Sequence, residues 1–190
     1  MDNTKPVICV FCGSSHGRDT AYASAARRLG TLIGENGYDL VFGGGYVGLM
    51  GEVAHAARQT GAKVTGVLPE FLRHLEPPAE NEETVVLTPD LQERKNLMLS
   101  MADAFVVLPG GLGTMDELFE VLTSAQLRVF AKPIVVVNTG GYFASLGALL
   151  EQIVAEGFAR PDIGALYRMS PTPEDAMAFL AQSLGSPPRA

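Results

Sequence analysis

Six short, largely continuous apolar runs rich in β-branched and aromatic residues recur between longer helical patterns, and they restrict the fold more than any other feature. They predict strands at Val7–Phe11, Asp39–Phe42, Lys63–Leu68, Thr84–Leu87, Ala104–Leu108 and Ile134–Asn138. Helical periodicity predicts helices at about Thr20–Asn36, Gly48–Thr60, Pro89–Met101, Thr114–Phe130 and Phe143–Glu156, then a last one at Pro173–Leu184. Strands that alternate with helices form βαβ units and a parallel sheet covered on both faces. Runs that are apolar throughout, rather than at every second residue, fit burial on both faces. The chain of 190 residues suits one doubly wound α/β domain over 1–190, with an ordered core at about 5–184. The irregular stretch from Pro69 to Glu83, with Pro77-Pro78, reads as a surface excursion.

Charge and composition exclude several classes of protein. A formal net charge of −7 argues against a general nucleic-acid binder, which needs a basic face. No segment approaches the ~20 apolar residues of a membrane span. The start, Met1-Asp2-Asn3-Thr4-Lys5, lacks the regions of a signal peptide, so a cytoplasmic protein is expected. Cys9 and Cys12 resemble a C-x-x-C, but a spacing of three in a strand sends them to opposite faces, so ordinary reduced thiols are expected. His16, His55 and His74 are scattered, and no cluster has metal-ligand spacing; neither a metal nor another cofactor is expected.

Three strands end in glycine-rich turns, at the edge where open parallel sheets bind ligands. The first turn is Cys12-Gly13-Ser14-Ser15-His16-Gly17, and the second is Gly43-Gly44-Gly45 followed by Gly48-Leu49-Met50-Gly51. The third, Pro109-Gly110-Gly111-Leu112-Gly113-Thr114-Met115-Asp116-Glu117, lies between a strand and a helix. Such a turn gathers free amides and a helix N-terminus at one point, where a phosphate fits. Three of them on one edge point to a nucleotide-like ligand. No P-loop lysine follows the third turn, and Gly43, Gly45 and Gly48 make only a forced G-x-G-x-x-G.

Two side chains add chemistry to the cradle. Glu117 is a carboxylate beside the phosphate turn, although Thr114-x-x-Glu117 also matches a capping box with Thr114 as the cap. Arg94 and Lys95 lie on the preceding helix and share a face with Leu91 and Met98, as ligand contacts or as the solvated side of that helix.

Together these residues resemble the Lonely Guy (LOG) family of cytokinin riboside 5′-monophosphate phosphoribohydrolases, long mislabelled as lysine decarboxylases. The likeness rests on P-G-G-x-G-T-x-x-E at Pro109–Glu117 and the Arg94-Lys95 pair, and it extends from Val7 to about Leu184. The resemblance implies a Rossmann-like, doubly wound three-layer α/β/α sandwich with a mainly parallel central sheet. It implies hydrolysis of the N-glycosidic bond of an N6-substituted adenosine 5′-monophosphate. The alternatives are a broader nucleoside 5′-monophosphate N-glycosidase acting on substrates such as AMP, and a non-catalytic nucleotide binder. Carried over, Arg94 and Glu117 are the catalytic pair, and Gly110, Gly111, Gly113 and Thr114 form the phosphate cradle. The resemblance also implies further substrate contacts at Glu76, Lys95, Met98, Thr123, Gly13, Ser14, Ser15, Gly44 and Gly45, and a homodimer. The decarboxylase label fits poorly, because Lys5, Lys63, Lys95 and Lys132 are the only lysines and none has an evident partner acid for a pyridoxal ring.

Overall fold

The computed structural model describes residues 5–75 and 84–185. Its strands are β1 (Val7–Phe11), β2 (Asp39–Phe42), β3 (Val64–Pro69), β4 (Val85–Thr88), β5 (Ala104–Val107), β6 (Ile134–Val137) and β7 (Arg168–Ser170). They form one seven-stranded sheet in the order β4-β3-β2-β1-β5-β6-β7, with every neighbouring pair parallel. The helices are α1 (Thr20–Glu35), α2 (Gly48–Gln59), α3 (Leu91–Met101), α4 (Leu112–Gln126), α5 (Ala144–Ala155) and α6 (Pro173–Leu184). From β1 the chain steps outward to β4, then returns to lay β5 on the other side of β1. The crevice outside the ends of β1 and β5 is therefore the topological switch point, where a doubly wound sheet binds its ligand.

Strand alternation sorts the apolar side chains into two cores. Ile8, Val10, Leu40, Phe42 and Val106 pack with α1, α2 and α6 on one face. Cys9, Phe11, Val41, Phe105 and Val107 pack with α3, α4 and α5 on the other. The expected three-layer α/β/α sandwich is thus present. Cys12 belongs to the first core and Cys9 to the second, both as free thiols, in line with their spacing. Burial on both faces fails at the edge strand β4, where Val86 and Leu87 are 38% and 42% exposed.

Three local features differ from the pattern read in the sequence. Strand β7 was not anticipated, because Arg168-Met169-Ser170 carries no β-branched run; pairing with β6 creates it. Helix α3 begins at Leu91 rather than Pro89, since the Asp90 carboxylate accepts the Glu93 amide at 2.8 Å as its cap. Helix α4 runs from Leu112 to Gln126 and not from Thr114 to Phe130. Its C-terminal turn closes through Arg128, whose φ of 60° is the one positive value at a non-glycine residue among those described. No described helix is long and apolar enough to cross a membrane.

The tightest helix contact is between α1 and α2, where Gly30 admits the neighbouring backbone. A Cβ on Gly30 would lie 2.3 Å from the Val53 carbonyl oxygen and 2.9 Å from the Ala56 Cβ. Gly30→Ala is therefore expected to destabilise the fold by about 1–3 kcal/mol through overpacking, although alanine is the better helix former. Gly147→Ala in α5, where a Cβ meets nothing within 4 Å, is expected to stabilise it by up to about 1 kcal/mol. Urea titration of both variants checks the pair, and a stabilised Gly30→Ala would contradict the packing.

Candidate active site

Backbone contacts between turns build the carboxyl edge of the sheet. The Gly13 amide donates to the Pro109 carbonyl at 3.0 Å, and the Leu49 amide donates to the Gly13 carbonyl at 3.0 Å. Side chains would not fit between these segments. A Cβ on Gly110 would lie 2.7 Å from the Gly13 nitrogen and 2.0 Å from the Thr114 Oγ1. A Cβ on Gly48, whose φ is +56°, would lie 2.3 Å from the carbonyl carbon of Ser14 and the nitrogen of Ser15. The turn after β1 is thus locked to the turns after β2 and β5, which brings Gly13, the Ser14-Ser15 backbone, Gly110 and Thr114 together.

The turn after β5 enters α4 without a side-chain cap. Gly111 is the N-cap, with no capping hydrogen bond, so the capping-box reading of Thr114 and Glu117 is corrected. Without a Cβ at Gly111 or Gly113, and with the Thr114 hydroxyl seated against Gly110, the helix starts two residues before the expected cap. Among the described residues, the amides of Gly111, Leu112, Gly113 and Thr114 have no acceptor. They converge at the positive end of the α4 dipole and suit an anion. Nothing in the structure would crowd a Cβ at Gly111 or Gly113, so this side of the cradle is open.

Arg94 and Glu117 come together beside that cradle. Arg94 Nη2 stands 3.5 Å from Glu117 Oε1, and the two side chains are only 11% and 9% exposed. At that distance the pair attracts without a tight hydrogen bond. The Arg94 Nε is buried and has no acceptor among the described residues. The guanidinium reaches this position because Gly43 has no side chain: a Cβ there would lie 1.9 Å from Arg94 Nη2 and 3.0 Å from the Met50 sulfur. Burial, reinforced by the negative charge of Glu117, pushes the Cys12 and Cys9 thiols well above their ordinary value, so both stay protonated.

Other sequence-identified residues have different surroundings. Lys95 Nζ lies 2.9 Å from both Asp116 Oδ2 and Glu120 Oε2, bridging α3 to α4. Burial works against its charge, but these two carboxylates outweigh it and hold the ammonium above its ordinary value. Met98 has no exposed surface and belongs to the core beneath α3. Thr123 is exposed on α4, six residues or about 9 Å along the helix from Glu117. Gly44, at φ +84°, packs against Val67 and Leu68 of β3, and Gly45 beside it is buried. Glu76 lies outside the described residues. Among those described, no group of three or more His, Cys, Asp or Glu side chains is placed to hold a metal ion.

Two residues of this edge were missed in the sequence. Gly43 was read only as part of a glycine-rich turn and a forced G-x-G-x-x-G, and its contact with Arg94 depends on the placement of α3. Tyr142 follows β6, and its hydroxyl donates to the Gly110 carbonyl. An aromatic residue after a strand carries no signal of such a bond.

Comparison with known proteins places this geometry in a family. The family model described as "Possible lysine decarboxylase" matches residues 50–180. The probable cytokinin riboside 5′-monophosphate phosphoribohydrolase LOGL2 of Oryza sativa subsp. japonica is 41% identical over 175 residues, 92% of this chain and 72% of that protein. Cytokinin riboside 5′-monophosphate phosphoribohydrolase LOG7 of Arabidopsis thaliana is 42% identical over 92% of this chain and 81% of its own length. Among solved structures, the molybdenum cofactor binding protein of Rippkaea orientalis superposes with a TM-score of 0.72 at 22% identity, covering 95% of this chain and 98% of that one, which shows a shared fold. With 41–42% identity to these two relatives over nine-tenths of its length, the chain belongs to the Lonely Guy (LOG) family of cytokinin riboside 5′-monophosphate phosphoribohydrolases.

Proposed function

We propose that this protein hydrolyses the N-glycosidic bond of N6-substituted adenosine 5′-monophosphates, the cytokinin riboside monophosphates, releasing free cytokinin base and ribose 5-phosphate. The observation that carries the reading is the buried Arg94–Glu117 pair next to the unsatisfied amides that open α4. The names of the relatives supply the substrate class. A protein that only bound nucleotides would need the amides but not this pair of charges.

In this reading the 5′-phosphate sits on the amides of Gly111 to Thr114 and fixes the ribose against Glu117. As the C1′–N9 bond breaks, its electron pair leaves with the purine, which takes up a proton, and C1′ becomes oxocarbenium-like. Glu117, 3.5 Å from the Arg94 guanidinium, stabilises that positive charge and orients the attacking water, whose oxygen bonds to C1′ as it gives up a proton. The Arg94 Nε, without an acceptor among the described residues, is a donor for the purine or the ribose hydroxyls.

The family model's description suggests a different chemistry, which the lysines do not fit. A Schiff base to pyridoxal phosphate needs a neutral amine at the site. Lys95 is held charged by Asp116 and Glu120, and Lys132 Nζ donates to the Leu99 carbonyl at 2.8 Å.

The same reading includes a cytoplasmic homodimer with no nucleic-acid partner. Unpaired buried thiols suit a reducing compartment, and the charge of −7 disfavours nucleic acid. Leu91 and Leu112, 46% and 90% exposed at the starts of α3 and α4, offer apolar surface for a second copy.

Purified protein incubated with isopentenyladenosine monophosphate, AMP and isopentenyladenosine should release free base and ribose 5-phosphate fastest from the first. Preference for AMP would support a broader nucleotidase of the N-glycosidic bond, and no base from any nucleotide would overturn the reading. Glu117→Gln is expected to lower kcat by about 10²–10³-fold while nucleotide binding persists; full activity in that variant would remove Glu117 from the chemistry. Gly43→Ala, which drives a methyl group into the guanidinium, should lower kcat at least about tenfold by displacing Arg94. Steady-state kinetics and a crystal structure of the variant test that link.

A further inference from the structure

The turn after β6 holds an aromatic bracket that ends on the phosphate cradle. The Tyr142 ring meets Tyr22 edge-on at 5.8 Å and Phe143 at 4.9 Å, with interplanar angles of 78° and 84°. Phe143 is 2% exposed and anchored, its amide donating to Asn138 Oδ1 at 2.7 Å. Tyr22 is fitted in turn against Gly17, where a Cβ would lie 2.8 Å from its ring. The Tyr142 hydroxyl is therefore delivered to the Gly110 carbonyl by a rigid assembly from β6, α1 and the first turn.

That hydrogen bond fixes the direction of a neighbouring donor. The peptide joining Gly110 to Gly111 is trans, like all the described peptides. Its carbonyl and its N–H point in opposite directions. Holding the Gly110 carbonyl toward Tyr142 keeps the Gly111 amide pointed away from it, and that amide has no acceptor among the described residues. A peptide between two glycines rotates more readily than any other, because no Cβ restricts either side. A rotated peptide would turn the carbonyl oxygen to the side the amide had occupied and repel an anion there.

We propose that Tyr142 is a positioning residue for the substrate's 5′-phosphate, acting through the Gly110–Gly111 peptide. The inference rests on the reading of the α4 N-terminus as the phosphate site. It makes the turn after β6 a fourth contributor to that site, and it assigns Tyr142 to affinity for the phosphate rather than to bond cleavage. Tyr142→Phe retains the ring and its aromatic neighbours and removes only the hydroxyl.

The experiment measures binding of ribose 5-phosphate and of inorganic phosphate to wild-type protein and to Tyr142→Phe by calorimetry, alongside turnover of isopentenyladenosine monophosphate. Both dissociation constants should rise roughly fivefold to tenfold, as the loss of one hydrogen bond implies. KM for the nucleotide should rise by a similar factor with kcat changed less than about twofold. Tyr22→Phe, whose hydroxyl does not contact the cradle, should leave all of these values alone, and the Gly111 amide resonance should move only in Tyr142→Phe. Unchanged phosphate binding in Tyr142→Phe overturns the proposal, and so does an equal weakening of ribose 5-phosphate and of free adenine, titrated in the same way as a ligand without a phosphate. Phosphate binding that depends on Tyr142 in a protein without turnover would uphold the positioning role while removing the hydrolase reading.

Discussion

Contact between Gly13 and Gly110 sets the geometry of the carboxyl edge. The register of β1 and β5 places Phe11 opposite Val107, so the chains leaving these strands emerge side by side. They can continue only if backbone meets backbone, because a Cβ on either glycine would press on the other turn. The amide of Gly13 then bonds to Pro109, its carbonyl to Leu49, and the starts of α2 and α4 are held to one point. The exposed amides that suit an anion are a by-product of this closure. A turn built without side chains leaves its amides exposed at the place where the sheet topology opens a crevice.

Among the described residues, three ion pairs join α3 to α4, two from Lys95 and one from Arg94, and their different geometries suggest different uses. Lys95 makes two 2.9 Å contacts with Asp116 and Glu120, and Asp116 is 63% exposed, so the contact with Asp116 resembles a surface bridge worth at most about 1 kcal/mol. Arg94 and Glu117 are buried and yet 3.5 Å apart, and the Arg94 Nε has no acceptor among the described residues. Burying charge with incomplete hydrogen bonding opposes stability. A fold selected for stability alone would have closed that gap, whereas a site that must receive polar groups of a substrate keeps it open.

Much of this was legible in the sequence because apolar runs and glycines act locally. Six of the strands follow from continuous apolar segments, and the three glycine turns follow from their position after strands. Strand β7 was not legible, since Arg168-Met169-Ser170 becomes a strand only by pairing with β6. The start of α4 was misread because Thr114-x-x-Glu117 has a cap's spacing, while the glycines before it let the helix begin earlier. Gly43 and Tyr142 depend on contacts with residues far along the chain, Arg94 and Gly110 respectively, and single-sequence periodicity carries no such information. Lys95 could be placed beside Arg94, but its carboxylate partners belong to the next helix.

The central position of β1 also governs how the chain assembles during synthesis. Strand β1 can pair with β2 as soon as α1 has formed, but Ile8 must wait for Ala104 before its other edge is covered. Until β5 emerges, the nascent chain carries an apolar strand with a row of unpaired backbone groups, the kind of edge that recruits other chains. The delay is inherent in a doubly wound order, because the return crossing closes over a long loop. The crevice between β1 and β5 is therefore the last part of the sheet's centre to exist, and a chain interrupted before β5 would hold half of the glycine contacts and none of the amides that open α4.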